Sequence, residues 1–285
     1  KKAGVGTFEK FVDPLVSSYF GTAKELSASY LAERWSSESR SAINRLGLAD
    51  FPTLVDAYEA AIQQRGGDIL TKKAVTRIEL ERDQVILECG EKRSYDAVIL
   101  TCAPRQSAEL VVSNQDRSVD RLKEELSNVK YRCCICGLFE VREKLSKYYW
   151  LNIMNGGMPF IACFEYDNLN TSFGRNIVYA VSYVDSNSPL WKAGEKEVAE
   201  KFEIGLETIF SNVEVLTYNI HREEYGTPFY HVGYKNIGLN PLKGVYFAGI
   251  YRKFPRIRSS GPAILSGQEA AEKAVRDMEE NTVGQ

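Results

Sequence analysis

The sequence predicts an α/β fold interrupted by an inserted block of α+β character. Three observations predict it. A helical stripe, a glycine turn and strand-like segments follow one another from Phe51; an apolar strand, "YDAVILTCAP", stops at Pro104; and a second apolar strand, "GVYFAG", resumes this character only after Asn240.

The elements follow in order. Leu54, Ala57, Tyr58, Ala61 and Ile62 recur at helical steps, and "RGGD" stops that helix before "DIL", which reads as a strand. "AVTRIEL" and "VILEC" have the β-branched enrichment of paired strands, with "ERDQ" as the turn between them. "YDAVILTCAP" reads as a strand covered on both faces, ending where ligand crevices open in α/β sheets. Between Arg105 and Asn240 a helix through Val119, Leu122, Leu126 and Val129 precedes the strands "CCICGLFEV", "FIACFEY" and "IVYAVSYV". A helix through Val198, Phe202, Leu206, Ile209 and Phe210 follows.

Val245, Tyr246, Phe247 and Ala248 then form a buried strand halted by Gly249. Beyond Pro262 a stripe of Ile264, Gly267, Ala271, Ala274, Val275 and Met278 predicts an amphipathic helix. Pro262 suits its first position, with Ser260 or Gly261 as cap. A helix starting just past a strand end offers unpaired N–H groups that favour an anionic or carbonyl-bearing ligand. The alternative is an ordinary strand-to-helix crossover.

Lys and Arg total 36 against 38 Asp and Glu, so the net charge carries no nucleic-acid footprint. No apolar run approaches the roughly 20 residues that span a bilayer, and the basic start has no apolar core behind it. The expected compartment is the cytoplasm. Cys89, Cys102, Cys133, Cys134, Cys136 and Cys163 lack the spacing of a disulfide framework. In "CCIC", strand alternation sends Cys133 and Cys134 to opposite faces, so no metal is expected. Asn170-Thr171-Ser172 is a formal glycosylation sequon without meaning inside a cell.

Three blocks resemble the flavin-containing amine oxidase superfamily, which includes protoporphyrinogen oxidases and phytoene desaturases. They are "TLVDAYEAAIQQRGGDILTKKAVTRIEL", "DAVILTCAP", and "GVYFAG" with the "GPAILSGQEAA" that follows. The N-terminal "GTFEKFVDPLVSSYFGTAKELSASY" is similar to the helical part of that family's substrate domain. The resemblance implies an α/β FAD-binding domain that is split and Rossmann-like, its N-terminal part absent, with an inserted α+β substrate domain. Residues 46–106 and 236–285 are then the FAD-binding parts, and 1–45 and 107–235 the substrate parts.

It further implies that the Val75 backbone holds the adenine end of FAD and that Ala103 and Pro104 lie beside the dinucleotide. Gly249 lets the chain pass the ribityl and pyrophosphate region. The helix start at Gly261, Ala263 and Ile264 presents N–H groups to the flavin O2, where negative charge grows on reduction. Two departures stand out. Ile250 occupies the place of an acidic residue that hydrogen-bonds the cofactor, and the family's strand–GxGxxG–helix is missing; "GVGTFE" has no strand before it and no third glycine at the required spacing. The expectation is a chain lacking roughly the first hundred residues of a full member, folding in large part but not retaining FAD.

Among the remaining candidates, "YRKFPRIRS" carries Arg252, Arg256 and Arg258. Arg258 is placed on the cofactor diphosphate and Arg256 on an anionic substrate, because a guanidinium fork matches both groups. The alternative is a solvated basic loop. Tyr225 and Tyr230, with Tyr234, are candidate substrate contacts or else core and rim residues. His221 and His231 have no second ligand at useful spacing and read as structural. "MNGGMPF", with Gly156 and Gly157, reads as a hairpin turn. No catalytic side chain is assigned, since flavin N5 is itself the acceptor in such oxidases.

The implied reaction oxidises a C–N or C–C bond of a small molecule by hydride transfer to flavin. The alternatives are a sugar-nucleotide mutase-like reaction using flavin without net redox, and a degenerate module that has lost FAD. A small-molecule substrate, anionic if the arginine loop serves it, is the expected partner, and a homo-oligomer is compatible with the sequence.

Overall fold

The computed structural model describes residues 4–21, 23–40, 51–81, 84–112, 116–154, 157–169 and 174–283. The sequon, Gly156 and part of the "ERDQ" turn lie outside them. In chain order the helices are α1 (Val5–Thr7), α2 (Asp13–Phe20), α3 (Ala28–Arg40), α4 (Phe51–Gln64), α5 (Pro104–Leu110), α6 (Arg117–Ser127), α7 (Pro189–Lys192), α8 (Glu195–Ile209) and α9 (Ser260–Val283). The strands are β1 (Arg77–Leu80), β2 (Val85–Glu88), β3 (Lys92–Tyr95), β4 (Val98–Leu100), β5 (Tyr131–Val141), β6 (Trp150–Asn152), β7 (Ala162–Glu165), β8 (Asn176–Val184), β9 (Val215–Pro228) and β10 (Val245–Phe247). They group into two compact units, each built from separated stretches of chain: Lys1–Ala32 with Lys130–Tyr234, and Glu33–Val129 with Lys235–Gln285.

The first unit is organised by a five-stranded antiparallel sheet in the order β6-β7-β8-β5-β9. Along β5 burial alternates strictly from Cys133, so Ile135, Phe139 and Val141 share one face. That face meets Cys163, Val178 and Ala180 from the neighbouring strands and Val198, Phe202 and Leu206 from α8. The three- and four-residue spacing on α8 puts these side chains on one stripe, and Glu195 and Glu197 in its first turn complement the helix dipole. Phe202 is fully buried, with its ring edge-on to Phe160 at 5.5 Å. Burying a side chain of this size contributes about 1.5–3 kcal/mol.

Strand β9 was not expected. Its run "VLTYNIHREEYGTP" buries only Ile220 and the Thr227–Pro228 end, so it carries little alternation to read. Its strand conformation comes from a long antiparallel pairing with β5, from Tyr131↔Pro228 to Val141↔Val215, with register shifts near each end.

The second unit holds two small sheets. β1, β2 and β3 form an antiparallel meander, in agreement with the paired strands read at "AVTRIEL" and "VILEC". β4 and β10 form a parallel pair, Val98↔Val245 to Leu100↔Phe247. Val245, Tyr246 and Phe247 are buried, and Tyr246 and Ala248 pack on Ala270 and Ala274 of α9. The Tyr246 hydroxyl donates to Asp277 Oδ2 at 2.7 Å, fixing α9 along the strand.

Three expectations are corrected. "DIL", Asp68 to Leu70, is not a strand: no described segment pairs with it, and Ile69 and Leu70 are exposed. The strand within "YDAVILTCAP" narrows to Val98–Leu100, because only three residues have a partner on β10. Helix α9 begins at Ser260, ahead of Pro262. A proline in the first turn removes an N–H that has no partner within the helix, so the helix tolerates it.

Candidate functional site

The parallel register of β4 and β10 brings their carboxyl ends to one side of the second unit. Leu100 O accepts from Ala248 N at 2.9 Å, so the chain beyond each strand departs from the same level. Ala103 and the buried Pro104 follow β4 and open α5; Gly249 and the half-buried Ile250 follow β10. Gln106 Oε1 accepts from the Ala103 N–H at 3.2 Å and holds that corner. Helix α9 is fixed at this end, since Gly249 N donates to Ser266 Oγ at 2.5 Å. Ala103, Pro104, Gly249, Ile250 and the first turns of α9, with Gly261, Ala263 and Ile264, are thus brought together.

Gly249 has φ +157°, and a Cβ there would stand 2.5 Å from Tyr251 Cε1. The glycine therefore serves the close return of Tyr251, whose ring is 2 % exposed. Gly261 differs: it lies in the first turn of α9, and nothing lies within 4 Å of the position its Cβ would take, so the space beside it is open. Ile264, 47 % exposed, stands beside that opening.

The basic loop between Gly249 and Ser260 is held from several sides. Arg252 turns inward, its Nε donating to Ile237 O and its Nη1 to Phe247 O, each at 3.1 Å, and burial lowers its pKa. Asn236 grips Phe254 in both directions, accepting from its N–H and donating to its carbonyl, each at 3.0 Å. Lys253 pairs with Glu269 of α9, and Arg256 Nη1 pairs with Glu33 Oε1 at 3.1 Å. Arg258 is half-buried close before the helix start.

The other candidates lie elsewhere. Val75 sits two residues before β1, half-buried, on the meander rather than the parallel pair. Tyr225 is on β9 in the first unit, edge-on to Tyr131 at 5.4 Å. Tyr230 is 1 % exposed, its ring between Tyr30 at 5.0 Å and Tyr234 at 4.8 Å, which makes it part of that unit's core. Burial also pushes the Tyr234 hydroxyl pKa up. His231 Nδ1 lies 2.8 Å from Val232 O, and His221 is exposed on β9 opposite Cys136. Among the described residues no group of three His, Cys, Asp or Glu side chains could hold a metal ion, and no helix is long and apolar enough to cross a membrane.

Sequence reasoning missed Ser266, the inward role of Arg252, and the sheet face opposite α8. On that face Asn152 Oδ1 accepts from Tyr19 Oη at 2.7 Å and from Trp150 Nε1 at 3.0 Å, and the Trp150 ring lies 5.1 Å from that of Phe164, tilted by 44°. Phe164 and Tyr179 are register partners, and Tyr19 lies 6.0 Å from Tyr183. The signal was the period-two placement of Tyr179 and Tyr183 in "IVYAVSYV".

A family model described as flavin containing amine oxidoreductase matches residues 3–275. The chain belongs to this family. No curated protein matches it. Among solved structures, an oxidoreductase from Methanosarcina mazei superposes with TM-score 0.74 at 18 % identity, over 95 % of this chain and 66 % of its own. A candidate protoporphyrinogen oxidase from Exiguobacterium sp. 255-15 gives 0.70 at 16 %, over 94 % and 64 %. Reduced UDP-galactopyranose mutase gives 0.66 at 15 %, over 87 % and 59 %. The chain therefore spans less than two thirds of the length of each. These likenesses establish the mixed helix-and-sheet fold of flavin-binding amine oxidase proteins. The family is by its description a flavin-containing one, and residues 3–275 of this chain match it.

Proposed function

We propose that this chain is part of an FAD-dependent oxidoreductase that removes a hydride from a C–N or C–C bond of a small molecule. In this reading the second unit is the FAD-binding part, split in sequence and Rossmann-like, and the first unit is the inserted substrate part. The observation that carries it is the convergence of the β4 and β10 carboxyl ends with the start of α9, tied by Gly249 and Ser266. Ligands bind beyond the carboxyl ends of parallel strands, and a helix start there offers unpaired N–H groups.

The residues present fit the flavin end of the cofactor. The open space beside Gly261 would admit a ring edge, the first turn of α9 would polarise it, and the exposed Ile264 would lie against it. Arg258 would meet the diphosphate, and Ala103, Pro104, Gly249 and Ile250 would line its path. Val75 would contact the adenine from the meander. Bound FAD supplies the electron acceptor; the chain supplies position and polarity. In the second unit Arg256 is assigned to an anionic substrate, which would compete with Glu33 for it.

The test is anaerobic titration of the flavin-loaded protein with amines and with compounds bearing oxidisable C–C bonds. Bleaching of the flavin band supports the proposal. Turnover without bleaching replaces it with a mutase-like reaction without net redox, and a protein that takes up no flavin under any condition replaces it with a degenerate module.

A further inference from the structure

The five-stranded sheet of the first unit ends on β9, whose outer side meets no further strand among the described residues. At the two ends of β5, Lys130 O accepts from Phe229 N at 2.8 Å and Arg142 N donates to Glu214 O at 3.0 Å, so even-numbered residues turn their backbone groups towards β9. The register partners of those on β5, Thr217, Asn219, His221 and Glu223, turn theirs back towards it. Alternation then points the N–H and C=O of Tyr218, Ile220 and Arg222 away from the sheet. No described residue hydrogen-bonds these groups.

This edge also lacks the features that keep a strand edge unpaired. From Thr217 to Glu223 it stays in unbroken register with β5 and contains neither proline nor lysine. The extra residues of the strand lie outside that run, Leu216 before it and Glu224 to Gly226 after it. The rim carries apolar surface, with Leu216 50 % and Tyr218 45 % exposed.

The residues of the edge indicate what covers it. Two copies of one strand pair antiparallel about a two-fold axis normal to the sheet. With that axis at Ile220, Ile220 meets its own copy and Tyr218 meets Arg222 of the second copy, so every outward-facing residue finds an outward-facing one. The Tyr218 ring then lies against a guanidinium that Ala193 O already holds at 2.7 Å. On the other face Asn219 stands opposite His221 and Thr217 opposite Glu223, hydrogen-bonding pairs with no like charges opposed. Other registers fit worse. An axis at Arg222 sets guanidinium against guanidinium, and one at Tyr218 brings Arg222 to Glu214, whose carbonyl and carboxylate already serve Arg142. An axis at Asn219 or His221 leaves Arg222 opposite Leu216 or Tyr218 opposite Glu224, where the strand is irregular.

We propose that this chain forms a two-fold dimer by antiparallel pairing of its β9 edges with Ile220 on the axis. The pairing joins two sheets into one and draws its affinity from the main-chain groups of Tyr218, Ile220 and Arg222. Such a contact is closed, so assembly stops at the dimer.

The test is sedimentation velocity of the chain over a range of concentrations, with hydrogen–deuterium exchange read on the same samples. Wild type should sediment as a dimer at high concentration, and exchange in peptides covering Thr217–Glu223 should slow as the dimer forms. Tyr218→Pro removes an outward N–H and leaves the ladder to β5 in place, so it should weaken the dimer by about tenfold or more. If circular dichroism shows that this variant does not fold, Tyr218→Lys takes its place, since it sets an ammonium opposite Arg222 and should weaken the dimer as much. Wild type that stays monomeric at every concentration, an open-ended assembly in place of a dimer, a dimer that the substitution leaves intact, or one that forms without slowing exchange in that stretch would each overturn the proposal.

Discussion

Gly249 donates its backbone N–H to the hydroxyl oxygen of Ser266 at 2.5 Å, joining the end of β10 to α9 through a serine that is fully buried. Ser266→Ala should leave that N–H without an acceptor and cost about 1–3 kcal/mol of stability. Urea unfolding of wild type and variant measures it, and an unchanged midpoint would show that the bond is dispensable.

Arg252 is predicted to act as a clamp for two carbonyls. Arg252→Lys keeps the charge and loses the fork that reaches Ile237 O and Phe247 O together, so it should destabilise nearly as much as Arg252→Ala, by about 1–3 kcal/mol. A lysine variant as stable as wild type would mean that charge alone matters there.

In the first unit Phe202→Ala should cost about 3–5 kcal/mol, because its ring fills the space between Phe139 and Phe160 and a cavity replaces it. Thermal or urea unfolding with the same slope as wild type, and a lower midpoint, is the expected result.

The Cys136 thiol gives a pH signature. Burial pushes its pKa from 9.0 to about 12. The folded state thus keeps a proton that the unfolded state loses, so this contribution to stability is complete below pH 9.0 and falls as pH rises towards 12. The slope is at most about 1.4 kcal/mol per pH unit for one such group. Cys136→Ala should flatten the decline of the urea midpoint above pH 9; an identical decline in the variant would place the pH dependence elsewhere, with Cys163, also raised by burial to about 12, as the next thiol to replace.

Much of the fold was legible because periodicity and burial agree. β5, β8 and α8 bury the residues their spacing selects, and the glycine after β10 and the proline after β4 mark the strand ends. β9 was not legible, because its backbone is held by β5 rather than by an apolar face of its own. "DIL" misled for the converse reason: its residues suit a strand, but a strand needs a partner and no described segment supplies one. At the candidate site, Ala103, Pro104, Gly249 and the α9 start were singled out by the family resemblance, and the fold brings the ends of β4 and β10 together there. Arg252 could not, since an arginine in a basic loop looks like solvated charge until the fold brings two carbonyls to it. Ser266 was hidden because it falls outside the apolar stripe read on that helix, and only the fold brings the Gly249 N–H to it.

The central claim is that the carboxyl end of the β4–β10 pair and the start of α9 receive the flavin. Hydrogen–deuterium exchange read by mass spectrometry, on the chain with and without excess FAD, tests it most directly, because weak binding suffices for protection. The predicted result is slower exchange in peptides covering Thr101–Pro104 and Ala248–Ile264. Unchanged exchange in both stretches, or protection confined to other parts of the chain, would contradict the claim.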